Sequence, residues 1–96
     1  MDVSIISPVF NEKENLETFI KKVSDALNKE TWKWELILID DGSDDGSFDL
    51  LQKLSKSQKN TRVISLSKNF GQTSAIQAGF DNASGKYLVT LDSDLQ

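Results

Sequence analysis

The sequence predicts an α/β fold: an open parallel sheet built as β-α-β-α-β-α-β, with strand order 3-2-1-4. Three observations carry this. Trp34-Glu35-Leu36-Ile37-Leu38-Ile39 is a nearly continuous apolar run, the pattern of a strand buried on both faces. Leu16, Phe19, Ile20, Val23 and Leu27 recur at spacings of 3, 1, 3 and 4, an amphipathic helical stripe. Strand-like and helix-like segments then alternate along all 96 residues, and right-handed crossovers turn that alternation into a parallel sheet.

Each element follows from local chemistry. Val3 to Ser7 reads as a first strand ended by Pro8, with Asn11 placed to cap the helix that carries the apolar stripe. The buried run from Trp34 to Ile39 is strand two, and Asp40-Asp41-Gly42-Ser43 ends it. Asp44-Asp45-Gly46-Ser47 opens a second helix whose apolar side is Phe48, Leu50, Leu51 and Leu54. Val63 to Leu66 is strand three, a short strand flanked by Arg62 and Lys68. Asn69-Phe70-Gly71-Gln72 turns into a third helix with Ala75, Ile76, Ala78, Gly79 and Phe80, for which Asn69 is a capping candidate. Ser84-Gly85 ends that helix, and Lys86 to Leu91 forms strand four.

Composition removes several function classes. There is no cysteine, hence no disulfide framework or thiolate metal site, and no histidine, the usual near-neutral base. A net charge of −4 disfavours nucleic acid as a partner. No apolar run approaches ~18 residues, and the N-terminus lacks a basic signal-peptide region, so a cytoplasmic setting is expected.

The placement of the acids is more telling. Seven of the fifteen (Glu12, Asp40, Asp41, Asp44, Asp45, Asp92, Asp94) lie just after expected strands. An order of 3-2-1-4 reverses direction between strands one and four, and a ligand crevice opens there at the C-terminal strand ends. Pro8-Val9-Phe10-Asn11-Glu12 and Asp92-Ser93-Asp94 would flank it, with Asp40-Asp41 one strand away. An order ending on strand four also leaves an unpaired apolar edge, so the 96 residues are expected to be the N-terminal part of a larger domain, or to self-associate.

The motifs admit two readings each. Asp92 and Asp94, spaced i and i+2, can face one point and share a divalent cation with phosphate oxygens, or form a solvated acidic turn. Phe10 can pack on a base and Glu12 accept from a ribose, or the loop is only a helix entry. Asp41 can face a ligand while Asp44 and Asp45 cap the next helix. Lys68 and Asn69 can contact phosphate or sugar, although the loop has one glycine and matches no phosphate-loop pattern.

Taken together, Pro8-Val9-Phe10-Asn11-Glu12, Ile39-Asp40-Asp41-Gly42-Ser43, Lys68-Asn69-Phe70-Gly71 and Asp92-Ser93-Asp94-Leu95-Gln96 resemble the family-2 inverting glycosyltransferases of GT-A fold. More narrowly they resemble the polyprenyl- and dolichyl-phosphate sugar transferases, which implies hexosyl transfer of the dolichol phosphate mannosyltransferase kind. The resemblance covers the whole chain and implies the N-terminal, nucleotide-diphospho-sugar-binding half of that fold, with the acceptor half absent. It implies a UDP- or GDP-sugar donor, a lipid-phosphate acceptor, Mg2+ or Mn2+ as cofactor, and work at the cytoplasmic membrane face. It implies that Pro8, Phe10 and Glu12 line the nucleotide, that Ile39 and Asp41 hold the base side, and that Asp92, Ser93 and Asp94 meet ribose and diphosphate. Asp94 with Gln96, and Asp92 beside them, would hold the metal; no general base is implied within the chain. Phe10 stands where many relatives have tyrosine, which keeps the ring and removes a phenolic hydrogen bond. Two rival readings are a Mg2+-dependent phosphoryl-transfer or receiver-like domain, whose key Asp would follow strand one, and a non-catalytic nucleotide-binding or self-associating fragment.

Overall fold

A computed structural model describes residues 1–93. The elements are β1 (Val3–Val9), α1 (Lys13–Leu27), β2 (Trp34–Asp40), α2 (Ser47–Ser57), β3 (Thr61–Ser65), α3 (Gln72–Asn82) and β4 (Tyr87–Thr90). The four strands pair in parallel in the order β3-β2-β1-β4, as the sequence predicts.

Side-chain alternation along the strands divides the core in two. Ile5 and Val9 of β1 and Trp34, Leu36 and Leu38 of β2 meet Leu16, Phe19, Ile20 and Val23 of α1 and Leu51 of α2. Ile6, Ile37 and Ile39 project to the other face, against Ala75 of α3. All seven residues of β2 are buried, because helices cover both its faces. The crossover carrying α3 therefore lies opposite the other two, and β4 joins β1 on the side away from β2.

Helix α3 sits unusually close to the sheet. A Cβ added at Gly79 would lie 2.4 Å from Ile6 Cγ2 and 2.9 Å from Ile39 Cδ1. Below α3, Glu35 is a buried carboxylate fully committed to structure. Its Oε2 accepts from Ser4 Oγ at 2.6 Å and from the Ser84 N–H at 2.8 Å, and Ser4 Oγ in turn accepts the Gly85 N–H at 2.8 Å. Arg62 Nε lies 3.4 Å from Glu35 Oε1, and its guanidinium also donates to the Asn82 carbonyl at the end of α3. Arg62 is thus the clamp on the α3–β4 turn.

Three local expectations are corrected. Pro8 does not end β1; it pairs with Ile39 one residue before the strand's last member. Pairing of β1 with β4 stops at Ile6, and the Pro8 carbonyl accepts from Ser93 Oγ at 3.1 Å. Backbone groups of one residue point to the same side of a parallel strand, so the missing Pro8 N–H faces the side β4 has left and no ladder bond is lost. Asn11 does not cap α1. Glu12 holds the cap position without a side-chain cap bond, and Asn11 has a left-handed backbone with φ +52°. Asn69 does not cap α3 either; Gly71 takes that position.

Gly79→Ala is expected to destabilise the fold despite alanine's better helix propensity. Propensity returns about 1 kcal/mol, whereas forcing a methyl into a filled contact costs about 1–3 kcal/mol. A lower urea midpoint with an unchanged m-value is the expected outcome; an unchanged or higher midpoint would show that α3 can lift without cost.

Candidate functional site

A cleft of about 350 Å³ opens at the C-terminal ends of β1 and β4. Strand reversal puts it there, because the chain leaves β1 for α1 on one face of the sheet and reaches β4 from α3 on the other. Pro8, Phe10 and Glu12 form one wall, Asp92 and Ser93 a second, and Asn69, Gly71 and Gln72, at the start of α3, a third. Asp41 forms part of the floor. Six of the residues expected from the sequence, Pro8, Phe10, Glu12, Asp41, Asp92 and Ser93, are therefore brought together.

Ile39 is not among them. It is fully buried between the sheet and α3, since its position in β2 points it into the core. Asp94 and Gln96 lie outside the described residues, as does Leu95. Gln72 was not anticipated. Its Nε2 lies 3.4 Å from Asp92 Oδ1 and joins two walls; its one sequence signal is its place as first residue of the helix that faces the reversal point.

Asp41, expected to face a ligand, lines the cleft floor and also holds a neighbouring loop. It is 3% exposed. Its Oδ1 accepts from the Phe70 N–H at 2.9 Å, and its Oδ2 from the Gly71 N–H at 3.0 Å and from Asn69 Nδ2 at 3.3 Å. A buried carboxylate is tolerable only with such donors, and these lie at a helix N-terminus, where the dipole favours negative charge. Asp41 therefore fixes the β3–α3 loop against the end of β2. Gly42 makes the approach feasible: its φ is +72°, and a Cβ there would come within 2.4 Å of the Asn69 nitrogen and the Lys68 carbonyl carbon. With its Nδ2 on Asp41, Asn69 is held within the wall, and Lys68 Nζ stands 5.3 Å over the Phe70 ring.

The loops after β1 and β2 are also stapled. Ser43 Oγ accepts the Asn11 N–H at 2.9 Å, Asn11 Oδ1 accepts the Asp44 N–H at 2.9 Å, and Asp45 Oδ2 accepts the Lys13 N–H at 3.3 Å. Neither acid expected to cap α2 holds the cap position, which falls to Gly46; Asp45, one residue before it, accepts from the Ser47 N–H at 2.9 Å and from Ser47 Oγ at 2.5 Å. Asp44 contributes only its backbone. Asp92 is exposed, and Gln72 makes its one described side-chain bond. Glu12 Oε2 accepts from Asn15 Nδ2 at 2.9 Å. The cleft can thus offer an aromatic face, two carboxylates at its mouth and the uncapped N-terminus of α3.

Comparison with known proteins gives a family and a fold. The family described as Glycosyl transferase family 2 matches residues 4–96. An undecaprenyl-phosphate 4-deoxy-4-formamido-L-arabinose transferase of Salmonella choleraesuis is 44% identical over 98% of this chain, which spans 29% of that protein. The transferase of the same name from Pectobacterium atrosepticum is 45% identical over 99% of this chain, again 29% of its own length. Among solved structures, the Pyrobaculum calidifontis mannosyltransferase PcManGT, in complex with GDP-Man and Mn2+, superposes with a TM-score of 0.82 at 18% identity, over 96% of this chain and 27% of that one. S. aureus TarS 1–349 in complex with UDP gives 0.81 at 22% identity, over 98% of this chain and 28% of that one. The likeness to these structures shows a shared fold, the GT-A arrangement.

The Asp45 carboxyl gives a pH signature. Burial pushes its pKa up, but the Ser47 hydroxyl and the Ser47 and Lys13 amides together outweigh that and hold it below the ordinary 3.8. A depressed folded-state pKa contributes stability that is present above the unfolded value and is lost as pH falls through the folded one. Asp45→Asn should therefore reduce stability at neutral pH and flatten the decline below about pH 4. Parallel stability curves for the two proteins from pH 7 to pH 2 would show that Asp45 carries no such linkage.

Proposed function

The chain belongs to glycosyl transferase family 2, and from that membership we propose that it is the donor-binding part of an enzyme moving a sugar from a nucleotide sugar to a polyprenyl phosphate, with inversion. The observation that carries the proposal is the convergence of Phe10, Glu12, Asp92 and the α3 N-terminus on one cleft at the strand reversal. The acceptor class is supported by the relatives' names, which specify undecaprenyl phosphate. The sugar in those names is an arabinose derivative, so the hexosyl expectation has no support from them, and the donor is taken only as a UDP- or GDP-linked sugar.

In this reading Phe10, 46% exposed at the cleft wall, stacks on the base. The N–H groups opening α3 point at the diphosphate, where the helix dipole favours anionic oxygen. Gln72 steadies Asp92. An exposed carboxylate at the cleft mouth suits Mg2+ or Mn2+, which take few protein carboxylates beside substrate phosphates. Asp92 would hold such an ion, with Asp94 and Gln96 added by family resemblance. When bound, the cation would supply Lewis-acid stabilisation of the departing diphosphate. A phosphate acceptor is already anionic, so attack on the anomeric carbon needs little help from a base. The described cleft has no acceptor wall, and such rates depend on holding both substrates; the 96 residues are proposed to bind donor without transferring it.

Calorimetry should show UDP or GDP binding that Mn2+ or Mg2+ strengthens, with Asp94→Asn removing the metal effect more completely than Asp41→Asn. Equal affinity with and without metal would sink the metal assignment, and transfer to a polyprenyl phosphate by the 96 residues would refute the division of labour.

We propose also that the 96-residue chain self-associates through β4. That strand pairs with β1 alone among the described residues, and Tyr87 is 71% exposed and Leu88 45%. The Tyr87 and Leu91 N–H groups bond to β1, so by alternation those of Leu88 and Thr90 face the open edge. Sedimentation should show concentration-dependent association that Leu88→Pro abolishes without unfolding the chain, because that proline deletes an outward donor only. A monomer at high concentration would contradict the proposal.

A further inference from the structure

We infer that Asn11 is a positioning residue, holding the Phe10–Glu12 wall at the height the nucleotide needs. Among the described residues it is the one non-glycine with positive φ, at +52°. Asparagine tolerates that conformation better than most residues. The turn it makes puts Phe10 and Glu12, its two neighbours, on the cleft wall. Its own side chain turns away from the cleft and reaches the next loop. Asn11 Oδ1 accepts the Asp44 N–H and the Asn11 N–H donates to Ser43 Oγ, both at 2.9 Å.

The chain of contacts runs onward. Gly42, beside Ser43, presses on the Lys68–Asn69 backbone, and Asp41 holds the Phe70 and Gly71 amides. Three loops thereby form one collar around the cleft, and Asn11 is the link that ties the β1 loop into it. Lys13 adds only a longer bond, 3.3 Å, to Asp45. Neither Phe10 nor Asn11 is buried, so packing does not hold this turn. Its geometry rests on the left-handed residue and on two cross-loop hydrogen bonds.

This inference rests on the donor-cleft reading, and the experiment separates the two. Affinity for UDP and for GDP, each with Mn2+, is measured well below the melting temperature, so that the folded fraction is near one. Asn11→Ala should weaken binding about tenfold, having lost both the cross-loop acceptor and the tolerance for positive φ. Asn11→Gly restores the backbone alone and should weaken it about threefold. Hydrogen exchange of the Asp44 amide should quicken in both. Val23→Ala, a core truncation in α1 away from the cleft, lowers the melting temperature and should leave affinity and Asp44 exchange unchanged. Quickened Asp44 exchange with unchanged affinity overturns the positioning role and leaves the donor-cleft reading standing. An affinity loss in Val23→Ala as large as in Asn11→Ala also overturns it, since general destabilisation would then suffice. An unmodified chain that binds neither nucleotide overturns both.

Discussion

The carboxylate of Asp41 is the interaction on which the cleft depends. It leaves the end of β2 on the face occupied by α3 and takes up the Phe70 and Gly71 amides just before that helix begins. α3 has no side-chain cap of its own. Its start is instead fixed by an acid just after β2, a strand three elements earlier in the chain. Burial makes this grip specific: a buried carboxylate without its donors would be strongly unfavourable, so the loop cannot move away cheaply.

A second carboxylate, within β2 itself, holds the other end. Glu35 in β2 and Asp41 just beyond its end are six residues apart and therefore project to one face, separated by about 20 Å. An eleven-residue helix spans about 16 Å. One acid thus reaches the backbone before α3 and the other the backbone after it, at Ser84. Between them Gly79 lets the helix rest on Ile6 and Ile39 without a side chain in the way. The position of α3, and with it one wall of the cleft, is set from a single strand.

Much of this frame is legible in the sequence. The apolar run of β2, the helical stripe from Leu16 to Leu27 and the alternation of elements are local patterns, and the parallel sheet follows from them. Acids placed after strands are legible for the same reason. What was not legible depends on distant partners. Asp41 looks like a free ligand until the Phe70 and Gly71 amides are seen beside it. Pro8 looks like a terminator until β4 is seen to leave β1 after Ile6. Asn11 looks like a cap because its left-handed turn has no signature short of the loops it joins. Ile39 carries a family motif position yet points into the core by the alternation of its strand. Glu35 and Arg62 were unremarkable in sequence because an ion pair between a buried acid of β2 and a half-exposed arginine of β3 needs the register of both.

The central claim is that one collar of loops at the strand reversal binds a nucleoside diphosphate. Amide shift mapping of the isotopically labelled chain, titrated with UDP and with GDP in the presence of Mg2+, tests it most directly. The account predicts that shifts concentrate at Val9, Phe10, Glu12, Gly71, Gln72, Asp92 and Ser93. Shifts centred on the opposite end of the sheet, near Trp32 and Asn60, or none with either nucleotide, would contradict it.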